Sequence, residues 1–179
     1  MKKALLIASV LFIAVITTAC INNIAVQELN NKAAEYMLKG DYDSAVNRLQ
    51  ASIDLDSSMY ETYYNLGIAA TNAKKYDTAI EAFENGLKIK PDYPNFYYSL
   101  AVAQAEYLES LLESADENKR EITEEDKTKH VELKLSAIAN AKKYIEINPQ
   151  AEDIEEVESF IKDLNKEENN EEQPKLLKG

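Results

Sequence analysis

The feature that most constrains this chain is a spacing of 34 residues. The stretch from Tyr60 to Pro91 carries Tyr63, Leu66, Gly67, Ala70, Ala79, Phe83 and a closing Pro91. One period earlier the chain reads Leu29, Ala33, Tyr36, Gly40-Asp41-Tyr42, Ala45, Leu49 and Ile53; one period later it reads Tyr97, Leu100 and Ala101. A repeat of this length cannot bury its own apolar face and does so only by stacking on copies of itself.

Within the template the apolar positions recur at helical spacing. Tyr63, Leu66, Ile80, Phe83 and Leu87 form a buried stripe, and Gly67 and Ala79 are small where two antiparallel helices must approach. Lys74-Lys75-Tyr76-Asp77 reads as the turn, with Tyr76 packing beneath it, and Pro91 ends the second helix. In the earlier copy "KGDYDSAVNRL" holds the same turn, with Gly40 suited to ending a helix. The later copy is broken: Ala137, Ala141 and Pro149 arrive about 24 residues late. Between them Leu108, Leu111, Leu112 and Ala115 prolong the first helix. Thr123, followed by Glu124, Glu125 and Asp126, reads as an N-cap opening a helix through Ile147, with Val131, Leu135, Ile138, Ala141 and Ile145 as its stripe. The third unit is thus expected as a hairpin with extended arms and a charged tip, "ESADENKREITEEDKTKH".

The stretch "YYNLGIAATNAKKYDTAIEAFENGLKIKP" resembles the tetratricopeptide repeat. The resemblance implies an all-α fold: a right-handed superhelical stack of about three hairpins and a C-terminal capping helix. It divides the chain into a repeat domain at 26–164 (units about 26–59, 60–93 and 94–149, extension 113–130, capping helix 150–164) and a tail at 165–179. The cap carries Ile154, Val157, Phe160, Ile161 and Leu164, whereas the acidic tail has no apolar period and is expected to be disordered. In this family the first helices line a concave groove that holds peptides or a partner's helix. Carried over residue by residue, the groove takes Gln27, Asn30, Ala34 and Met37 from the first unit. Glu61, Tyr64, Ile68 and Asn72 come from the second, and Asn95, Tyr98, Val102 and Ala105 from the third. Tyr64 and Tyr98 either face the groove or pack between repeats. The lysine clamp by which some relatives hold a terminal carboxylate is missing, since Ala34 and Ile68 occupy places where polar residues would be needed.

The N-terminus addresses the chain elsewhere. Lys2 and Lys3 precede an apolar run from Ala4 to Ile16, and Thr17, Thr18 and Ala19 give a small-residue exit before the single cysteine, Cys20. The run is shorter than the roughly 20 residues a membrane-crossing helix needs. Thr17-Thr18-Ala19-Cys20 resembles the lipobox of bacterial lipoproteins. That implies a signal peptide at 1–19, a diacylglyceryl thioether on Cys20, and a lipidated linker at 20–25. Ile21 is not the aspartate that retains some lipoproteins at the inner membrane, so the expected address is the outer membrane, facing the periplasm.

Charge and side-chain inventory narrow the function. The formal net charge is −12; loss of the two lysines before Cys20 leaves 18 basic residues against 32 acidic ones, or −14. Such a chain is repelled by phosphate backbones, so nucleic acid is not expected as a partner. With one histidine, His130, and one cysteine there is no set of ligands for zinc. No glycine-rich phosphate loop or nucleophile elbow occurs. No catalytic residue, metal or cofactor is expected, and the chain does not read as an enzyme. Two functions remain: a lipid-tethered scaffold binding a protein or peptide partner in the cell envelope, and a helical carrier of a small hydrophobic ligand for an envelope transporter. The neutral, aromatic groove suits a protein segment or an apolar ligand better than an acidic tail, and the scaffold is the expected function.

Overall fold

The computed structural model describes residues 23–117 and 122–166, and these form seven helices and no strand. They are α1 (23–38), α2 (Tyr42–Leu55), α3 (Tyr60–Asn72), α4 (Tyr76–Ile89), α5 (Pro94–Glu117), α6 (Glu124–Ile147) and α7 (Ile154–Lys166). Residues 1–22, on which the expected signal peptide and Cys20 fall, lie outside the described residues. The helix is already present at 23–25, which the sequence reading assigned to a linker.

Local chemistry sets the turns. After α1 the Asp41 amide donates to the Tyr36 carbonyl at 2.9 Å and the Gly40 amide to Met37 at 3.0 Å. This pair of bonds closes a helix through one left-handed residue, Gly40, at φ 74°. One period later Lys75 donates to Ala70 at 2.8 Å and Lys74 to Thr71 at 2.9 Å. Here the left-handed residue is Lys74, at φ 57°, which carries a Cβ where glycine would be free of strain.

Stacking buries what the period promised. Ala33, Ala45, Leu49, Leu66, Ala69, Ala79, Phe83, Phe96 and Leu100 belong to one core running through the first three units. Gly67 sits against the ring of Phe83, and a methyl at Gly67 would lie inside that ring's envelope. Gly86 makes the same approach to Phe96 of the next hairpin. Tyr76 does more than fill its turn: its ring stacks on Tyr107 of α5 at 5.4 Å and 18°.

The third hairpin has the expected long arms, with 24 residues in each of α5 and α6. Thr123 opens α6 through a complete capping box with Asp126. The arms are registered by buried Gln104, which donates to Ser136 Oγ at 2.8 Å and accepts from Asn140 Nδ2 at 3.0 Å. The stripe on α6 differs from the expected one. Leu133, Ala137, Ile138, Ala141 and Tyr144 are buried, while Val131 and Leu135 are 53% and 59% exposed. The buried face follows α5, and the flank bearing Val131 and Leu135 is covered only farther along, where α7 packs. The capping helix itself runs from 154 to 166. Asn165, assigned to the tail, instead donates to the Ile161 carbonyl at 2.7 Å, and Lys166 pairs with Asp163 at 2.7 Å. Residues 167–179 lie outside the described chain.

Candidate functional site

The first and second hairpins leave an open groove of about 460 Å³ between α1 and α3. Its apolar floor is built from Ala33, Met37, Leu49 and Ile68, with exposed Ala34 and Leu38 at the rim. Asn30, Asn65 and Asn72 supply amides along it, and Tyr42 stands at the α2 end. None of these lining residues is charged. Leu38 is 89% exposed: it is the last residue of α1, and nothing packs over it.

The asparagines are partly engaged by the fold. Asn30 Nδ2 donates to Ser52 Oγ at 2.8 Å and to the Val26 carbonyl at 2.9 Å, joining α1 to α2. Asn72 Nδ2 donates to the Ile68 carbonyl at 2.8 Å. The row that begins at Leu38 and Asn72 continues one period on at Glu106. Burial, then the neighbouring Glu109 carboxylate, pushes the Glu106 carboxyl above its ordinary range, against a smaller opposing pull from Lys74. The α5 end of this row is thus acidic rather than basic.

Of the sequence-derived candidates, the structure brings Asn30, Met37, Ile68 and Asn72 together, with Ala34 beside them. Gln27 is exposed one turn earlier on α1 and donates to Asn23 Oδ1 at 3.1 Å. Glu61 and Asn95 are exposed in the first turns of α3 and α5, and Val102 is half-buried on α5. None of these four lines the α1–α3 groove.

The two tyrosines resolve to packing. Tyr64 lies edge-on to Phe96 at 5.4 Å and to Tyr93 at 5.7 Å, with Phe83 at 6.0 Å. Its hydroxyl accepts from Ser99 Oγ at 3.3 Å. Tyr98 packs on Tyr144 of α6 at 5.4 Å and is met edge-on by Phe160 of α7 at 6.3 Å. Burial, reinforced by Glu156 and Asp153, raises its phenol. Leu38 and Asn65 escaped the sequence reading. Asn65 has a trace there, since Asn31, Asn65 and Ser99 form a polar row at the repeat period. His130 is half-buried on α6, and among the described residues no three His, Cys, Asp or Glu side chains gather as a metal site. No described helix is long and apolar enough to cross a membrane.

The family model for the tetratricopeptide repeat matches residues 60–93, the second hairpin and its exit. Those residues are a tetratricopeptide repeat. The flanking hairpins share the fold of solved tetratricopeptide domains. The first such domain of Spaghetti (RPAP3), bound to the HSP90 peptide SRMEEVD, superposes with a TM-score of 0.60 at 16% identity, covering 81% of this chain and 94% of that one. The Yersinia enterocolitica type III secretion chaperone SycD, in complex with a peptide of the translocator YopD, gives 0.54 at 17% identity, covering 77% and 87%. Among curated proteins, the small glutamine-rich tetratricopeptide repeat-containing protein 2 of Mycosarcoma maydis is 27% identical over 94 residues, 52% of this chain and 26% of its own. Protein HGV2 of Halocynthia roretzi is 29% identical over 102 residues, 56% of this chain and 17% of its own. The match therefore spans about a quarter or less of these relatives' lengths.

Proposed function

We propose that this chain is a membrane-tethered scaffold of the bacterial cell envelope, anchored through lipid on Cys20, whose α1–α3 groove binds a segment of a partner protein. The observation that carries the binding half is the groove itself: open, apolar at its floor, edged by amides and without a charged side chain. Asparagine carbonyls and amides suit the backbone of an extended segment, and the Met37–Ile68 floor with Leu38 at its rim suits an aliphatic anchor. Structurally similar domains hold peptides of HSP90 and of YopD, which supports the same use here. A segment that relies on an acidic terminus finds no lysine or arginine in this lining. An open groove also suits an extended segment better than a small apolar cargo, which favours the scaffold over the carrier.

The tether is carried by the order Lys2-Lys3, apolar run, Thr17-Thr18-Ala19, Cys20. Two or more acyl chains hold a protein stably at a bilayer, where one holds it only marginally. The proposed address is the outer membrane, with the domain in the periplasm. In cells expressing the full chain, Cys20→Ser should abolish incorporation of labelled fatty acid and shift the protein out of the membrane fraction. Unchanged labelling and partitioning would reject the tether. A photoreactive side chain at Asn65 should crosslink a protein in native membranes, and crosslinking confined to small molecules would favour the carrier.

A further inference from the structure

Short turns reverse the chain at each helix, so the start of α1 and the ends of α2, α4 and α6 lie along one edge of the stack. The turns that join α1 to α2 and α3 to α4 lie along the other. Three of the exposed large aliphatic side chains occupy the first edge: Ile24 at 66%, Leu55 at 43% and Ile89 at 39%. Leu55 and Ile89 are the last residues of α2 and α4, one period apart, and half-buried Ile147 ends α6 in the same register. The charges around them are mixed. Asp54 and Asp56 flank Leu55, and Asp56 is held by the hydroxyl and amide of Ser58. Lys88 and Lys90 flank Ile89, with Lys90 paired to Asp92 at 3.1 Å. Aliphatic tips set among charges of both signs match the headgroup layer of a bilayer better than they match water.

The covalent chain supplies the distance. Helix is present at residue 23, three residues beyond Cys20. Three residues span at most about 11 Å when fully extended. We infer that this edge of the stack lies against the membrane, with Ile24, Leu55 and Ile89 in the headgroup layer, and that the third hairpin projects away from it. This rests on the lipid anchor at Cys20 proposed above. At 1.5 Å per residue the 24-residue arms reach about 36 Å from the membrane edge, against about 20 Å for the 13 residues of α3. The projecting arms are braced rather than free. Tyr107 Oη donates to Asp77 Oδ2 at 3.1 Å, and Lys129 lies 3.6 Å from Asp77 and 5.0 Å from the Tyr107 ring.

The test uses the full lipidated chain, purified from membranes and reconstituted at one copy per nanodisc of phosphatidylethanolamine and phosphatidylglycerol. Single thiols carry an environment-sensitive fluorophore at the near edge (Leu55→Cys, Ile89→Cys) and at the far edge (Lys39→Cys, Glu125→Cys); the alkylated sulfur of Cys20 does not react. Headgroup-linked quencher lipids should quench the probes at 55 and 89 several-fold more than those at 39 and 125. Equal or reversed quenching overturns the inference. So does a probe at 55 or 89 that is shielded from water but insensitive to quencher lipid, which would mean that protein covers this edge. Mass analysis of Cys20 separates the failures. An unlipidated Cys20 removes the anchor and this orientation together, whereas a lipidated Cys20 with unquenched near-edge probes removes the orientation alone.

Discussion

The joint between the second and third hairpins and the groove between the first and second are built at equivalent places in the repeat, yet they use them oppositely. At the joint, Tyr60, Tyr64, Phe83, Tyr93 and Phe96 interlock edge to face, and Gly67 and Gly86 bring the backbones close enough for the rings to meet. At the groove Asn30 and Leu49 stand one period before Tyr64 and Phe83, and with small Ala34 and exposed Leu38 beside them they leave it open. Periodicity therefore fixes which positions are equivalent but not whether they pack or bind. The side chains filling the period decide that, and here they separate a rigid aromatic joint from an open surface.

The largest expected effect tests the joint. Phe83 is fully buried, touches Tyr64 and Phe96, and fills the space that Gly67 leaves. Phe83→Ala should cost about 3–5 kcal/mol in chemical denaturation. A loss as small as that of a surface change would mean the joint is no tighter than the groove. Gly67→Ala approaches the same contact from the other side. The added methyl must displace a ring held by its neighbours, so the expected loss is about 1–3 kcal/mol; a neutral or stabilising result would show that the ring can yield.

The two turns sharpen the comparison in the opposite direction. Gly40 and Lys74 occupy the same left-handed position, and only the lysine is strained there. Lys74→Gly should stabilise the fold by about 0.5–1 kcal/mol after the flexibility of glycine in the unfolded chain is offset. The smallest effect concerns Glu106. Its carboxyl is raised in the folded state, so the charged form destabilises the fold above the unfolded pKa and the penalty vanishes as pH falls below about 4. Glu106→Gln should raise the melting midpoint slightly at pH 7 and leave it unchanged in acid. A gain that persists at low pH would point to a cause other than ionisation.

The hairpin register, the long third unit and the start of α6 were legible in the sequence because each rests on local chemistry. Thr123 and Asp126 form a capping box whatever surrounds them, and the alanines and glycines mark close helix crossings. The environments of Tyr64 and Tyr98 were not legible, because tyrosine serves equally as groove surface and as packing. Their outcome depends on residues far along the chain, Phe96 for the one and Phe160 for the other. Val131 and Leu135 misled for a related reason. They share a helical flank with Ile138, but only the part of that flank beside α7 is buried, and the length of α7 cannot be deduced from α6. Leu38 stands one period before Asn72 and was legible in that register, but the sequence reading places its neighbour Met37 there.

The central claim is that an uncharged groove between α1 and α3 holds a protein segment by an aliphatic anchor. Random peptides displayed as internal and as C-terminal segments, selected on the folded domain, test it most directly. Selected sequences should share an aliphatic side chain without an acidic terminus. Their affinity should fall at least tenfold, about 1.4 kcal/mol, with Leu38→Asp and with Ile68→Asp. It should be unchanged with Val131→Asp on the distant α6. Leu38 is exposed enough that its substitution should leave folding within about 0.5 kcal/mol of the parent, so lost binding there cannot be ascribed to unfolding. Selection of acidic C-terminal sequences, or affinities indifferent to Leu38→Asp and Ile68→Asp, would contradict the account.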